Sequence, residues 1–187
     1  MSIGIGLRAQ KGGAVFVAVS AASEILLSGL VDTAGEGDRL ALEPYGVARE
    51  LGATAEAAAA VAEGRARQER AAVSSLRAVI GRLRQKPAVA ALLVNRAGWI
   101  SDLIQYSQAW PEHVPVAENL AVRDALRSAI RQCGIELVEI DEKSLGADPR
   151  LKTLASSGNK PWRRQEKLAC LAALTALSSS PSSAPCR

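Results

Sequence analysis

Three apolar stretches of strand length follow one another within the first 33 residues, separated only by short spacers, and this limits the chain to folds that open with an antiparallel meander. Residues 3–7 form the first stretch and a polar, Gly-ended turn over 8–13 follows. Residues 14–19 form a β-branched second stretch, 20–23 a second turn, and 24–31 the third. The first two stretches are apolar almost throughout, which predicts a sheet covered on both faces.

Beyond a polar loop at 35–39 the texture becomes helical. Pro44 to Leu51 suits a short helix ending near Gly52. Thr54 suits the cap of a long one over 56–86, which Pro87 ends. Val73, Leu76, Ile80 and Leu83 recur at spacings that place them on one helical face. Residues 88–94 read as a fourth, central strand. Trp99, Leu103, Tyr106 and Trp110 suggest a short amphipathic helix stopped by Pro111, and 117–133 a further helix stopped by Gly134. Residues 135–140 read as a fifth strand. A loop holding Gly146, Pro149 and Gly158 leads to a last helix over 161–177, opened by Pro161. The order β-β-β-α-β-α-β-α predicts an α/β fold, a mixed five-stranded sheet with helices on both faces. The domain expected spans residues 1–177, with 54–86 a candidate insertion or dimer contact and 178–187 a disordered Ser/Pro tail.

Composition narrows the functional classes. Aromatic residues are only 3% of the chain, too few for a stacking platform for single strands. The net charge of +4 and pI near 9.2 are compatible with a nucleic-acid partner without requiring one. Cys133, Cys170 and Cys186 show no paired spacing, which argues against disulfide frameworks and zinc sites, and His113 is the single histidine. No apolar run reaches membrane-spanning length and the N-terminus has no basic region leading into an apolar one. A cytoplasmic protein without membrane contact is expected.

The stretch GIGLRAQKGG at 4–13, followed by Ala14-Val15, resembles the first hairpin of RuvC-type Holliday junction resolvases in the ribonuclease-H-like superfamily. It is more similar still to a small uncharacterised family of that superfamily whose strand carries Gly-Val-Glu-Leu-Lys-Gly. The run QEKLACLA at 165–172 resembles the terminal helix of these families, and residues 124–145 resemble their helix, fifth strand and downstream loop. The resemblance implies a ribonuclease-H-like fold over most of residues 1–177. It also implies carboxylates from the first strand, fourth strand and last helix that together hold two divalent cations. The matching positions here are Gly6, a site near Asn95 followed by Arg96, and the pair Arg163 and Glu166. Only Glu166 is an acid.

The same alignment brings Arg8, Arg96, Lys160 and Arg163 to the place of the metals, which implies a cationic site for nucleic acid or another anion, with no cofactor. Arg70, Arg77 and Arg84, seven residues apart with Arg82 and Lys86 nearby, form a basic stripe on the long helix. The stripe reads either as a phosphate contact or as a solvated face suited to the helix dipole. The Ala-rich surface of that helix also suits a homodimer. Two alternatives stay open. One is a Mg²⁺- or Mn²⁺-dependent nuclease with displaced acids Asp32, Asp141 and Glu166. The other is a protein-interaction scaffold using the long helix or the Trp99–Trp110 region. Asp141-x-Lys143 echoes a restriction-type nuclease motif, but the preceding strand offers no acid; charges in an exposed turn explain it equally. Trp99, Tyr106 and Trp110 read as packing at helical spacing, His113 as part of a surface loop, and Gly12-Gly13 as a hairpin turn.

Overall fold

In the computed structural model, which describes residues 2–95, 100–154 and 162–179, the N-terminal stretches form β1 (Ile3–Gln10), β2 (Gly13–Ser20) and β3 (Ile25–Asp32). Strands β1 and β2 pair antiparallel as far as Gln10 opposite Gly13, leaving Lys11 and Gly12 as the turn, with Gly12 at φ 77°. Arg8 and Gln10, expected in the turn, therefore belong to the strand. A left-handed φ is what a glycine adopts without a Cβ penalty, so the turn is tighter than the polar run implied.

Strands β4 (Val89–Val94) and β5 (Glu136–Asp141) complete a five-stranded sheet of order β3-β2-β1-β4-β5. Strand β4 runs parallel to both β1 and β5, while β2 is antiparallel to β1 and to β3. The central strand is β1, with β4 beside it.

Alternation along each strand divides the core between two faces. Ile3, Ile5 and Leu7 of β1, Phe16 of β2 and Leu92 of β4 lie in one apolar cluster. Helices α3 (Ala55–Gly81) and α5 (Val114–Gln132) cover that face through Val73, Leu76, Leu126 and Ile130. Val15 and Val17 of β2 and Val89, Ala91 and Leu93 of β4 point the other way, onto α8 (Arg164–Ser179). Strands β1 and β2 are buried on both faces, as their composition predicts. No described helix is long and apolar enough to cross a membrane.

Helix α3 starts where expected, with the Thr54 side chain accepting the Ala57 N–H at 3.2 Å. It ends at Gly81 rather than at Lys86, a glycine being a poor helix residue. Between β3 and α3 lie α1 (Arg39–Leu42) and α2 (Pro44–Leu51). Helix α4 (Leu103–Ala109) is shorter than expected because Asp102 caps it, accepting the N–H groups of Ile104 and Gln105. A single 3₁₀ turn, Pro111–His113, then leads straight into α5, so Val114 and Pro115 are helical rather than loop. His113 is half-buried in that turn, stacked on Tyr106 with ring centroids 3.9 Å apart, and its Nδ1 lies 2.8 Å from the Tyr106 carbonyl oxygen. The stretch after β5 holds two short helices, α6 (Glu142–Gly146) and α7 (Arg150–Thr153). Ser178 and Ser179 extend α8 and were expected in the tail; Trp99, Pro161, Cys186 and residues 180–187 lie outside the described residues.

Candidate functional site

Strands β1, β4 and β5 are parallel, so their C-terminal ends share one edge of the sheet. In open α/β sheets this is the edge where ligands bind. The side chains there come from four elements. Arg8 projects from β1 on the α8 side, since Ile3, Ile5, Leu7 and Ala9 take the opposite face. Its Nε and Nη2 both donate to Oε1 of Glu142, at 3.1 and 3.0 Å. Glu142 opens α6 directly after β5. Asn95 follows β4; with its amide oriented to satisfy its neighbours, the side-chain oxygen accepts from Nη2 of Arg123 at 3.2 Å and the amide nitrogen donates to the Val94 carbonyl.

Arg123 reaches this edge from α5 and is only 7% exposed. Burial pushes its pKa below the ordinary arginine value, and nearby Arg8 and Arg127 push the same way, while Glu142 and Glu139 oppose them. An arginine nevertheless stays charged in a protein. Its Nε has no hydrogen-bond partner. Asn95, Glu142, Lys143, Gly146, Ala147 and Arg164 line an adjoining depression of about 570 Å³. Across it the Arg164 guanidinium sits so near Gly146 that a Cβ there would lie 3.2 Å from Nη2.

Helix α8 closes the sheet face just inside this edge. A Cβ built on Gly6 would fall 1.8 Å from the Ala169 carbonyl oxygen and 2.9 Å from the Ala173 nitrogen. The helix backbone thus occupies the space into which any side chain at position 6 would project. Glu166 stands in the first turn of α8, with Oε2 buried and without a hydrogen-bond partner. Arg163 precedes the helix and is exposed.

No protein-family model matches the chain, and no curated protein matches it. Solved structures do. The structure of Thermus thermophilus RuvC in complex with a Holliday junction substrate superposes with a TM-score of 0.55 at 12% identity, over 95% of this chain and 94% of that one. A second structure of RuvC from the same organism gives 0.52 at 12% identity, over 94% and 93%. The chain has a ribonuclease-H-like fold of the RuvC type.

Does this chain hold the residues for a two-metal site? By the resemblance the first-strand position is Gly6, which lies under the α8 backbone, the fourth-strand position falls near Asn95, and the last-helix pair falls on Arg163 and Glu166, so Glu166 is the one acid among them. Among the described residues no group of three or more His, Cys, Asp or Glu could hold a metal ion. The residues do not fit the cations that the resemblance implied. The displaced acids do not repair this. Asp32 ends β3 and Asp141 ends β5, the two opposite edge strands. Four steps of about 4.8 Å separate them, roughly 19 Å, whereas paired metals lie about 4 Å apart. An Asp32–Asp141–Glu166 centre is therefore excluded geometrically. Asp141 instead caps α6, accepting the Lys143 N–H at 2.9 Å, which gives the Asp141-x-Lys143 spacing a local structural role.

Of the cations expected here, Arg8 is at the edge, and Arg96 and Lys160 lie outside the described residues. The basic stripe lies elsewhere. Arg70 and Arg77 are exposed beside Gln132 at the C-terminal end of α5, and Arg70 contacts Glu63 at 3.4 Å. Arg84 lies near Ile3, at the opposite end of β1 from Arg8. Trp110 follows α4 and is 60% exposed.

Sequence reasoning missed Arg123, Glu142 and Arg164 as site residues, and met Lys143 only in the Asp141-x-Lys143 spacing. Arg123 did leave a signal. It is charged among the buried α5 positions Ala121, Val122, Ala125 and Leu126, a face on which a charge is out of place.

Proposed function

We propose that this chain is a non-catalytic RuvC-type protein that binds a polyanion, nucleic acid foremost, at the C-terminal edge of β1, β4 and β5. The observation that carries the reading is the substitution of character at that edge. Where the fold would need converging acids, a helix backbone packs on Gly6, and the neighbouring depression is lined by Lys143 and Arg164 with Asn95 and one acid, Glu142, which Arg8 already engages, while Arg123 lies behind Asn95. A cationic edge repels Mg²⁺ or Mn²⁺ and attracts phosphate. Arg163, exposed just before α8, belongs to the same proposed surface. The stripe of Arg70, Arg77 and Arg84 is a separate surface and is assigned no part in this contact.

Equilibrium binding to duplex, four-way-junction and single-stranded DNA and RNA tests this directly. Affinity should fall steeply between about 50 and 200 mM salt, because each phosphate neutralised releases counterions. Absence of salt-sensitive binding to every one of these probes would sink the polyanion reading. Cleavage that requires Mg²⁺ or Mn²⁺ and is lost in Glu166→Gln would overturn the non-catalytic half of it.

A further inference from the structure

The arginines and acids at the sheet edge are unevenly matched. Glu142 is engaged by Arg8 through two hydrogen bonds to one oxygen. Glu139, the other acid whose charge acts on Arg123, is engaged by Arg127. Arg123 is the most deeply buried of these arginines, and among the described residues it has no carboxylate of its own. Its one assigned contact is the neutral amide of Asn95, and its Nε is unsatisfied. A buried guanidinium left in this state is costly, and a planar fork of donors is suited to phosphate oxygens. Asn95 both contacts Arg123 and lines the depression with Glu142, Lys143 and Arg164, so the unsatisfied cation lies one side chain behind the wall of that depression.

We infer that Arg123, with Arg8 and Arg164, forms a phosphate subsite, and that Glu142 is its built-in competitor. The inference rests on the polyanion reading and names the group at its centre. Glu142 holds Arg8 in the way a phosphate oxygen would, and its negative charge lies against the place where the ligand's charge must go. A phosphate entering the depression exchanges the Arg8–Glu142 pair for an Arg8–phosphate pair and supplies Arg123 with the anion it lacks. No covalent step is involved. The phosphate is either a free ion or a phosphodiester of a nucleic-acid backbone, and both offer the same oxygens.

Four full-length proteins test this: the natural chain, Glu142→Gln, Arg123→Met and, as an off-site control, Arg77→Gln. Each is titrated with inorganic phosphate and with a short DNA duplex. Glu142→Gln should tighten binding by about tenfold, the size of one partly screened charge contact. Arg123→Met should weaken it by at least as much, and Arg77→Gln should leave it unchanged. Tightening with phosphate alone assigns a free-ion site; tightening with duplex assigns a backbone site. If the duplex binds but Glu142→Gln and Arg123→Met leave its affinity unchanged, the subsite is wrong while the polyanion reading stands. If no protein binds either probe, both fail. Glu142 is partly exposed at the start of α6 and glutamine keeps its size and an acceptor oxygen for Arg8, so its variant keeps the test decisive even if Arg123→Met does not fold.

Discussion

The carbonyl oxygen of Ala169 lies where a Cβ on Gly6 would have to be, 1.8 Å from its ideal position. Helix α8 can approach β1 this closely because Gly4 and Gly6 face it and because Ala169, Ala172, Ala173 and Ala176 are all small and buried. Restoring an acid at the fold's first-strand position should therefore damage the protein rather than create a metal site. Gly6→Asp, and Gly6→Ala with it, should lose at least about 3 kcal/mol, since the obstacle is backbone and cannot rotate away. Denaturant unfolding with and without Mg²⁺ checks this. A stable Gly6→Asp protein whose melting temperature rises with Mg²⁺ would contradict it.

A second glycine reverses an ordinary rule. Alanine in place of a helical glycine usually stabilises by about 1 kcal/mol. Gly64, inside α3, faces α1 and the start of α2, and a Cβ there would meet the Leu40 carbonyl oxygen at 2.5 Å and the Pro44 Cβ at 2.6 Å. Gly64→Ala should destabilise by about 1–3 kcal/mol, the range for an overpacked contact. Exposed Gly81, with open space around its Cβ position, should show the opposite sign. Comparing the two unfolding midpoints separates packing from propensity.

These contacts mark where the sequence was legible and where it was not. The meander and the two-sided burial of β1 and β2 follow from apolar runs and short spacers, which are local signals. The polar run from Arg8 suggests a turn, because polar residues usually end a strand. The alternation Leu7, Arg8, Ala9, Gln10 carried the correct reading, because Leu7 and Ala9 are in the core and only the other face becomes polar. Helices α6 and α7 are too short for periodicity to register. The grouping of Arg8, Arg123, Glu142 and Arg164 had no local signal at all. It exists only once β1, α5, α6 and α8 are brought to one edge.

Cysteine reactivity should separate by burial. Cys170 lies on the buried face of α8, against β2, at 2% exposure, and desolvation pushes its thiol up to about 11. Cys133, at the end of α5, is partly exposed. Iodoacetamide at about pH 8 should modify Cys133 in the folded protein and Cys170 only after denaturation, because the thiolate is the reacting species. Peptide mapping by mass distinguishes the two sites. Modification of Cys170 at the same rate as Cys133 would show that α8 opens readily from the sheet.

Glu118 gives the stability a pH dependence of unusual sign. From α5 it caps α2 across the chain, its Oε1 accepting the N–H groups of Tyr45 at 2.8 Å and Gly46 at 2.9 Å, while Oε2 is buried without a partner. Burial outweighs those two bonds and raises its pKa from 4.5 to about 7. Between these values the folded carboxyl keeps a proton that the unfolded chain has released. Stability should therefore fall as pH rises from 4.5 to about 7 and level off above, by on the order of 3 kcal/mol at 1.36 kcal/mol per pKa unit. Glu43, Glu50, Glu63 and Asp148 have lowered pKa values and act in the opposite sense, but below their ordinary values of 4.5 and 3.8. The interval from about pH 5 to 7 therefore reports chiefly on Glu118. Glu118→Gln keeps an acceptor for the α2 amides and removes the titration, so its unfolding free energy should stay nearly flat across that interval. A natural chain that is equally stable at both ends of the interval, or a variant that keeps the slope, would remove Glu118 as its source.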